Sequence, residues 1–582
     1  MLAYRPRLSQ VLAVLLALSS VTVQASPDSI FINAKVYTAD EVQPFAQAFA
    51  VEQGRIVAIG RQEEVLARKG AGTHVVDLEG KRVLPGLIDA HTHAVIAGLA
   101  AQSPNLNDTE LDIETVRQRA QAWLKADQYG AERPLVVFGV NPSTLDNPQA
   151  LSEAFDTDVW ASQPLLLMGS DLHTGWANRA MRAKASIDAR YVQDLAKHLR
   201  HAIGVGSDGE PNGILIDAGI DQVTLQLPKP DTRTLLEAGR FAVQTYNRYG
   251  VTAWMDAAAN AGPGEALFSR RARSTGTGIL PAYRELAQAG ALTAHVAALL
   301  VASPQSDTAD LDDLASVREQ FLGIPNLTLP GIKIFADGVL EYPAQSAALL
   351  GKYRNSGKQG ALLLQTEGWR ALVDAADARG LLVHIHALGD RAVQESLDAF
   401  EVARTKRESG IRHSITHLQL VDDRDYPRFE RLGVIAVMQL HWAELDNYLL
   451  DLVKPYISEA EFMRQYPAKS LQDHGAVIAG ASDWPISTPN PWEAMHRAMT
   501  RQGPGGGLNA AERMDRADML LAYTRHAAQA IGLESQIGSL VEGKLADFIV
   551  VDRDVLDVDV ESLKDTQVLA TYFAGRKVYG VR

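Results

Sequence analysis

Short β-rich segments alternate with helical segments along most of this chain, and this alternation limits the fold more than any other feature of the sequence. Amphipathic helical patterns, such as those over residues 232–249, 368–379 and 392–407, separate runs of apolar and β-branched residues. Because parallel strands need a long crossover connection, usually a helix, the alternation indicates a parallel sheet. Eight such segments predict an α/β fold, the (β/α)8 TIM barrel, with strands at residues 83–93, 251–255, 293–299, 331–335, 381–386, 413–417, 434–439 and 476–482.

The two chain ends and one long connection do not fit the barrel pattern. Residues 26–83 and 536–582 contain short alternating strands, and neither set is large enough to form a stable sandwich alone. We therefore predict one small β-sandwich domain built from both ends, beside a barrel over residues 84–535. Residues 102–230, after the first strand, are too long for a crossover and predict an inserted subdomain that would cap the barrel mouth.

The first 25 residues have the pattern of an export signal. Arg5 and Arg7 precede an apolar stretch at residues 11–18, and Val23-Gln24-Ala25 is a small-x-small cleavage pattern. We predict cleavage near Ala25 and a periplasmic or secreted mature protein. The alternative, an N-terminal membrane anchor, would need about 20 apolar residues, and this stretch is shorter. The rest of the sequence has no comparable segment, so we expect no stable membrane insertion.

The net charge and the absence of cysteine restrict the partners and the chemistry. The formal charge is −14 at pH 7 and there is no long run of Lys or Arg, so neither nucleic acid nor an anionic membrane is an expected partner. A small-molecule substrate fits better, and the sequence leaves a homo-oligomer open. Without cysteine, thiolate ligands, disulfides and a cysteine nucleophile are excluded, so a metal would be held by histidine, carboxylate or a modified side chain.

Side chains that can bind metals gather at the ends of the predicted strands. His91 and His93 end the first strand, and side chains two apart on a strand share a face, so both imidazoles can converge on one metal ion. The alternative for an isolated His-x-His is two polar residues at a strand-to-loop junction. Barrel enzymes carry their chemistry at the C-terminal ends of strands, so the wider pattern favours a metal site. The other candidates are Lys333 on the fourth strand, His384 and His386 on the fifth, His417 on the sixth and Ser482-Asp483 on the eighth.

Six segments carry a resemblance to a known family. They are residues 84–93 (LPGLIDAHTH), 208–213 (DGEPNG), 333–338 (KIFADG), 386–390 (HALGD), 481–485 (ASDWP) and 542–547 (EGKLAD). In this order they resemble the amidohydrolase superfamily, specifically its family 3 branch, which is similar to N-substituted formamide deformylases. The resemblance, which covers exported and cytosolic proteins, implies a metal-dependent hydrolase that acts on carbon–nitrogen bonds other than peptide bonds, with an amide-like substrate. The N-terminal pattern adds the expectation that this hydrolase is exported.

The resemblance also implies a site for two divalent metal ions. Zinc suits histidine and carboxylate ligands, although manganese or iron could occupy the same set. Lys333 would be carboxylated, because a neutral amine can capture carbon dioxide and two nearby cations stabilise the resulting anion. A lysine in solvent or in a salt bridge is the alternative, and it fits poorly within an apolar run. The implied ligands are His91, His93 and Asp483 for the first ion, His386 and His417 for the second, and Lys333 as a bridge between both.

Two positions on the fifth and sixth strands need further argument. His384 and His386 lie on one strand face, so spacing alone cannot choose between them. The family pattern selects His386 and leaves His384 in the barrel interior. Thr416 stands where many relatives have Glu, and because strand neighbours point in opposite directions, we expect Thr416 to face the helix layer and His417 to face the site.

The implied mechanism uses a metal-activated hydroxide. Metal binding lowers the pKa of water to about 7, and Asp483 would act as general acid/base by accepting the proton of this water and passing it to the leaving nitrogen. Asp483 as a helix N-cap before Pro485 is the alternative. Two other functions remain open: a mononuclear deaminase-type hydrolase that does not use Lys333 as a ligand, and a non-catalytic periplasmic binding protein on the same barrel.

Aromatic residues and one histidine are candidate substrate contacts. Residues 171–178 resemble a family segment that approaches the active site, which makes His173 a candidate for binding the substrate carbonyl. Trp254, Trp442 and Trp484 sit at or just beyond strand ends, and an aromatic mouth would favour an apolar or aryl substituent on the amide. A structural role in a loop for His173, and core packing for each tryptophan, are the alternatives.

Overall fold

The structure, a computed structural model, describes residues 26–126, 133–265, 267, 276–363 and 366–580. The predicted export signal at residues 1–25, and the membrane anchor that is its alternative, lie outside the described residues. Within the described part of the chain, no helix is both long enough and apolar enough to cross a membrane.

Eight parallel strands form the central sheet, which confirms the predicted (β/α)8 barrel. The strands follow one another in chain order, and the last meets the first where the backbone N–H of Asp483 donates to the carbonyl of His91 over 2.8 Å. Apolar side chains, among them Ile88, Ala253 and Val437, fill the interior. The strands are β1 (Leu87–Thr92), β2 (Val251–Asp256), β3 (His295–Val301), β4 (Leu327–Phe335), β5 (Leu382–Ala387), β6 (Ser414–His417), β7 (Ile435–Met438) and β8 (Ile478–Gly480).

Helices form the layer outside the strands. The helix Thr232–Tyr249 begins after Asp231, whose side chain accepts from the backbone N–H of Thr234, and ends at Gly250, whose φ of 82° is left-handed. Both ends agree with the sequence pattern, because helix caps are local features. The other helices here are Ala94–Ala101, Leu280–Gln288, Asp310–Glu319, Thr366–Ala378, Asp390–Lys406, Tyr426–Leu432, Glu459–Met463, Ala468–Asp473, Pro491–Thr500, Arg516–Ala522 and Arg525–Ala530.

Both chain ends contribute to a β-sandwich beside the barrel, as predicted. A six-stranded sheet pairs Arg82–Pro85 with Phe548–Val551, and Phe31 of a four-stranded sheet packs 4.9 Å from the ring of Phe548. The expected start of the barrel at residue 84 falls inside a sandwich strand, and the first barrel strand begins at Leu87. The remaining strands are Ser29–Ile32, Lys35–Tyr37, Phe45–Ala46, Ala48–Glu52, Arg55–Gly60, His74–Asp77, Val568–Phe573 and Arg576–Gly580.

The connection between β1 and β2 carries a five-stranded sheet of its own, so the insertion is an ordered unit in its described residues. The turn between two of its strands contains Asp171 and His173, which line cavities at the barrel mouth. The insertion therefore supplies side chains to the site. Its strands are Leu135–Val140, Leu165–Gly169, Thr174–Ala177, Ile203–Val205 and Pro211–Ile216, and its helices are Ile113–Ala126, Pro148–Phe155, Arg179–Lys184, Ala189–Asp194 and Ala218–Thr224.

Candidate metal centre

Two histidines at the end of β1 and an aspartate after β8 meet at the mouth of the barrel. The Nε2 atoms of His91 and His93 each lie 3.3 Å from Oδ1 of Asp483. Asp483 has a φ of 56°, a left-handed conformation that aspartate adopts more readily than most residues. The ligand atoms of the three side chains all lie within 4.8 Å of one another, close enough to share one metal ion.

Lys333 of β4 is buried next to this group. Its exposure is 0%, and Nζ has no hydrogen-bond partner among the described residues. Burial lowers the pKa of Lys333 to about 7, although the charge of Asp483 acts in the opposite direction. A large fraction of this amine is therefore neutral near pH 7, and the neutral form is the one that reacts with carbon dioxide.

His386 of β5 and His417 of β6 complete the group. Their ring centroids are 4.5 Å apart, and the ring of His417 lies 5.0 Å from that of His91. Burial, and then neighbouring positive charge, holds the pKa of His386 well below its usual range, and burial does the same for His417. Both imidazoles are thus neutral at physiological pH, which is the form that binds metals.

Hydrogen bonds define which nitrogen of each imidazole has a lone pair for the site. Nε2 of His386 lies 3.2 Å from the carbonyl of Gly338, which can only accept, so Nε2 carries the proton and Nδ1 has the lone pair. Nδ1 of His417 lies 3.1 Å from Oε1 of Gln439, so His417 has its lone pair on Nε2. The orientation of the Gln439 amide fits this assignment, because its Nε2 donates to Thr416.

Thr416 faces the barrel interior, which corrects the expectation that it faces the helix layer. It pairs with His386 on β5 and with Val437 on β7, and Val437 belongs to the interior cluster. Paired residues of neighbouring strands point to the same face, so His417 would point outward if β6 continued regularly. Instead His417 has a left-handed φ of 79°, and this one torsion brings its ring back to the site.

His384 lies in the barrel interior, as expected, and supports His91. Its Nε2 is 2.6 Å from Nδ1 of His91, and its Nδ1 is 2.7 Å from the hydroxyl of Ser414. A hydrogen bond on the far nitrogen fixes the orientation of a ligand imidazole. The contact therefore holds Nε2 of His91 towards Asp483.

The buried polar atoms that lack hydrogen-bond partners at this centre fit divalent metal ions. His91 Nε2, Lys333 Nζ and Asp483 Oδ1 are buried, and none has a hydrogen-bond partner in the described part of the chain. Buried polar atoms without partners are costly, and a bound cation would satisfy the imidazole and carboxylate atoms directly. Imidazoles together with a carboxylate are a ligand set that zinc and similar metals accept.

Two adjoining cavities of about 220 and 180 Å³ open onto the centre, and His91, His93 and Lys333 line only the smaller of them. Asp171, His173, His386, His417 and Asp483 line both of them. The larger, here called the acidic chamber, is also lined by Asp108, Glu341, Trp442, Glu444, Asp446 and Tyr448. The smaller, here called the apolar chamber, is also lined by Ile96, Leu99, Phe138, Met168, Ile220 and Leu227.

Comparison with known proteins connects this geometry to a family. A family model described as "Amidohydrolase family" matches residues 74–579. The chain belongs to the amidohydrolase family. It is a hydrolase of the amidohydrolase type, and the expected enzyme class, which acts on carbon–nitrogen bonds, is confirmed.

Relatives match this amidohydrolase over nearly its whole length. It is 28% identical over 567 residues to the protein LONG AFTER FAR-RED 3 of Arabidopsis thaliana, covering 95% of this chain and 91% of the relative. It is 26% identical over 569 residues to the N-substituted formamide deformylase of Arthrobacter pascens, covering 94% and 97%. Its fold matches an uncharacterised metal-dependent hydrolase from Pyrococcus horikoshii with a TM-score of 0.68 at 24% identity, covering 92% of this chain and 99% of that one.

His173 of the insertion lies beside the metal centre of the amidohydrolase. Its ring centroid is 5.0 Å from that of His386, and its Nδ1 is 2.6 Å from Oδ1 of Asp217. Burial alone would lower the pKa of His173, but the carboxylates of Asp217 and Asp171 outweigh burial and raise it. The structure therefore places His173 where a substrate could reach it.

The three candidate tryptophans have different surroundings. Trp442 lines the acidic chamber, with its ring nearly parallel to that of His417 at 5.8 Å. Trp254 stacks on Tyr246 at 4.9 Å, and Trp484 packs against the same tyrosine at 5.3 Å. Neither Trp254 nor Trp484 lines either chamber, and the structure places both rings in the packing around Tyr246. Proximity to a strand end does not specify which layer a ring enters.

Several carboxylates at or next to the site were missed in the sequence, among them Asp89, Asp217 and Glu341. Asp89 is 1% exposed and accepts from Ser482. Its place two residues before His91 was an available signal, although Asp89 pairs with Trp254 and does not face the centre. Asp217 and Glu341 lie outside the barrel strands, where no periodicity marks them. Burial, and then the charge of Asp171, raises the pKa of Glu341 to about 7.

Proposed function

We propose that this amidohydrolase is exported and hydrolyses an amide-type C–N bond at a centre of two divalent metal ions. The observation that carries the proposal is the convergence of His91, His93 and Asp483 on one point, with the buried amine of Lys333 beside them and the histidine pair of β5 and β6 opposite. The two adjoining chambers leave room for the two arms of an amide. The deformylase relative, by its name, acts on an N-substituted formamide, which supports an amide as the substrate.

Asp483 is the general acid/base in this proposal. Divalent metals at such a centre lower the pKa of bound water to about 7 and polarise a carbonyl oxygen. Burial would raise the pKa of Asp483, but His91 and His93 outweigh burial and lower it well below its usual range, so the carboxylate is ionised. It can therefore accept the proton of the attacking water and then donate it to the leaving nitrogen.

His173 is the proposed contact for the substrate carbonyl. Asp217 accepts from Nδ1 and stabilises the protonated ring, in which Nε2 is also a donor. A donor aimed at the carbonyl oxygen stabilises the charge that develops there during attack. We expect His173→Asn to lower kcat by about 10²- to 10³-fold and to leave the metal content unchanged. An unchanged kcat would assign His173 a structural role only.

Lys333 is proposed to be carboxylated and to bridge two zinc ions. Its neutral amine attacks carbon dioxide and releases a proton, which converts a buried donor without partners into a carboxylate with two ligand oxygens. Zinc is favoured because the ligands are imidazoles and carboxylates and hydrolysis needs no redox change.

The metal content of the purified holoenzyme tests the two-metal proposal. We expect about two ions per chain in the wild type and about one in Lys333→Ala, with loss of amide hydrolysis. Lys352→Ala, at an exposed position, is the matched control and should retain both ions. A single ion that is unaffected by Lys333→Ala would favour the mononuclear deaminase-type alternative. Fully loaded protein that is inert towards amides, lactams and esters would favour the binding-protein alternative.

Export is proposed from the N-terminal sequence alone. The pattern of residues 1–25 favours removal after Ala25. N-terminal sequencing of protein from the periplasm or medium should therefore begin at Ser26. Recovery of the chain in the membrane fraction with Met1 still present would support the anchor instead.

A further inference from the structure

We propose that the substrate is a bipolar amide, with an apolar arm in the apolar chamber and a cationic arm in the acidic chamber. This inference rests on the proposed amide hydrolysis and goes beyond it by naming the substrate class. Asp171, His173 and Asp483 line both chambers, so a molecule that fills both must cross the metal centre. Its scissile bond would lie between the two arms.

Carboxylates are the main charged groups of the acidic chamber: no Lys or Arg of the described residues lines it, and His173 pairs with Asp217, which is outside the lining. Asp108, Asp171, Glu341 and Asp446 have no ion pair with a Lys or Arg within 4 Å in the described ranges, and their hydrogen bonds come from neutral donors such as Ser170. Grouped carboxylates in a partly buried space repel one another, because the effective dielectric constant there is lower than in water. A cationic group in the chamber would relieve this repulsion.

Glu444 is the exception, and it does not change the balance of charge in the chamber. Its Oε2 lies 2.8 Å from the guanidinium of Arg497, which is outside the lining. The pair neutralises one carboxylate and leaves Asp108, Asp171, Glu341 and Asp446, besides Asp483 of the metal centre, in the lining of the cavity.

Among the carboxylates of the acidic chamber, Glu341 gives the most direct indication of a cationic ligand. It is 6% exposed, its Oε1 accepts from the hydroxyl of Tyr448 over 2.8 Å, and no other described side chain donates to its carboxylate. Trp442 and Tyr448 line the same chamber, and aromatic faces attract organic cations. A metal ion fits less well, because the acids of this chamber form no group of three with ligand atoms within 4.8 Å among the described residues.

The apolar chamber has the opposite character. Leu99 from the helix Ala94–Ala101 and Phe138 from the insertion are among the hydrocarbon side chains that form most of its wall. Two acids of the wall have partners of their own, since Glu265 contacts the ammonium of Lys229 and Asp221 accepts from a backbone N–H. A hydrocarbon or aryl arm would bury apolar surface against these side chains.

Matched substrates test the inference on the zinc-loaded wild-type enzyme. One series consists of phenylacetyl amides of amines with the same five-carbon chain, which ends in an ammonium, a methyl or a carboxylate. A second series reverses the amide, with benzylamides whose acyl chain carries the same three endings. In at least one series we expect kcat/KM to be about ten-fold higher for the ammonium than for the methyl ending, a difference of about 1.4 kcal/mol, and lowest for the carboxylate.

Variants test whether the acidic chamber causes the preference for the ammonium ending and the apolar chamber the preference for the phenylacetyl group. Glu341→Gln should lower the ammonium-to-methyl ratio of kcat/KM by about ten-fold, and Glu319→Gln, at an exposed helix position, should leave the ratio unchanged. Leu99→Trp, which fills the apolar chamber, should lower the ratio of phenylacetyl to acetyl substrates. If Glu341→Gln does not fold, the wild type can be tested with two inhibitors instead. Competitive inhibition by pentylammonium but not by pentanol would show the same preference for a cationic group.

The outcomes separate this inference from the proposed function. Hydrolysis of the amides with an ammonium-to-methyl ratio of one or less in both series would overturn the bipolar substrate and leave amide hydrolysis intact. A ratio above one that Glu341→Gln does not change would overturn the assignment to the acidic chamber. Failure to hydrolyse any amide would count against the proposed function itself.

Discussion

Asp89 of β1 accepts two hydrogen bonds from Ser482, which follows β8: the backbone N–H donates to Oδ1 over 3.0 Å, and the hydroxyl donates to Oδ2. The hydroxyl of Tyr246 also donates to this carboxylate over 2.9 Å. Because Ser482 directly precedes Asp483, these bonds connect the first and last strands of the barrel at the metal centre. The position of Asp483 relative to His91 therefore depends on a buried carboxylate that does not face the centre.

Asp89→Asn is expected to lower metal affinity and kcat by about ten- to a hundred-fold. The amide has one acceptor oxygen in place of two, so it cannot accept from both donors of Ser482, and Asp483 loses its fixed position. Metal titration and steady-state kinetics measure the two effects. Asp313→Asn, an exposed aspartate on the helix Asp310–Glu319, is the matched control. Wild-type metal affinity in Asp89→Asn would show that the strand contact alone holds Asp483.

His384→Phe is expected to weaken binding of the first metal ion by about ten- to a hundred-fold. The phenyl ring keeps much of the volume but removes the contacts with His91 and Ser414, so the ligand imidazole is free to rotate. Isothermal titration of metal-free protein with zinc measures this. His74→Phe, on an exposed position of the sandwich, should bind zinc as the wild type does. Equal affinity in both variants would contradict a supporting role for His384.

Lys333→Met is expected to stabilise the metal-free protein while abolishing activity. Methionine fills similar space without burying an amine that has no hydrogen-bond partner, so the free energy of unfolding should rise by about 1–3 kcal/mol. Thermal unfolding in the presence of a chelator measures the change. A lower midpoint than the wild type would mean that the amine is well solvated in the metal-free state.

Asp377 is remote from the metal centre, and its ionisation makes the stability of the folded protein depend on pH. It is 2% exposed and contacts Arg404, Arg407, Ser409 and His413. Burial would raise its pKa, but the hydrogen bonds from His413, Ser409 and Arg407 outweigh burial and lower it below the usual range. A lowered pKa in the folded state means that the ionised form adds stability above the unfolded pKa of about 3.9 and that this stability is lost as pH falls below it.

Asp377→Asn is therefore expected to destabilise the protein by about 1.5–3 kcal/mol at pH 7, and the difference from the wild type should shrink below about pH 4. Thermal midpoints measured from neutral to acidic pH give the profile. Asp312→Asn, which breaks an exposed pair with Arg379, should change stability by less than about 1 kcal/mol at any pH. A difference for Asp377→Asn that persists in acid would mean that the loss is not electrostatic.

Much of the barrel could be predicted from the sequence, because its signals are local. The apolar runs marked all eight strands, and the caps of Thr232–Tyr249 marked that helix to the residue. The two-residue spacing of His91 and His93 was enough to expect both rings at one strand end, where the structure brings them to Asp483. Strand order in a barrel then follows chain order, so ligands on distant segments could be expected to meet.

The sequence by itself thus determined which strands form and which side chains stand at their ends. Only the tertiary structure decided the direction of His417, where one left-handed torsion reverses the strand alternation, and the packing of Trp254 and Trp484 against Tyr246. It alone also formed the acidic and apolar chambers, which combine residues from the insertion, the strand ends and later loops. The physical reason is that periodicity records only the neighbours of a residue along the chain, whereas a side chain's direction at a strand end and the wall of a cavity depend on contacts between residues hundreds of positions apart.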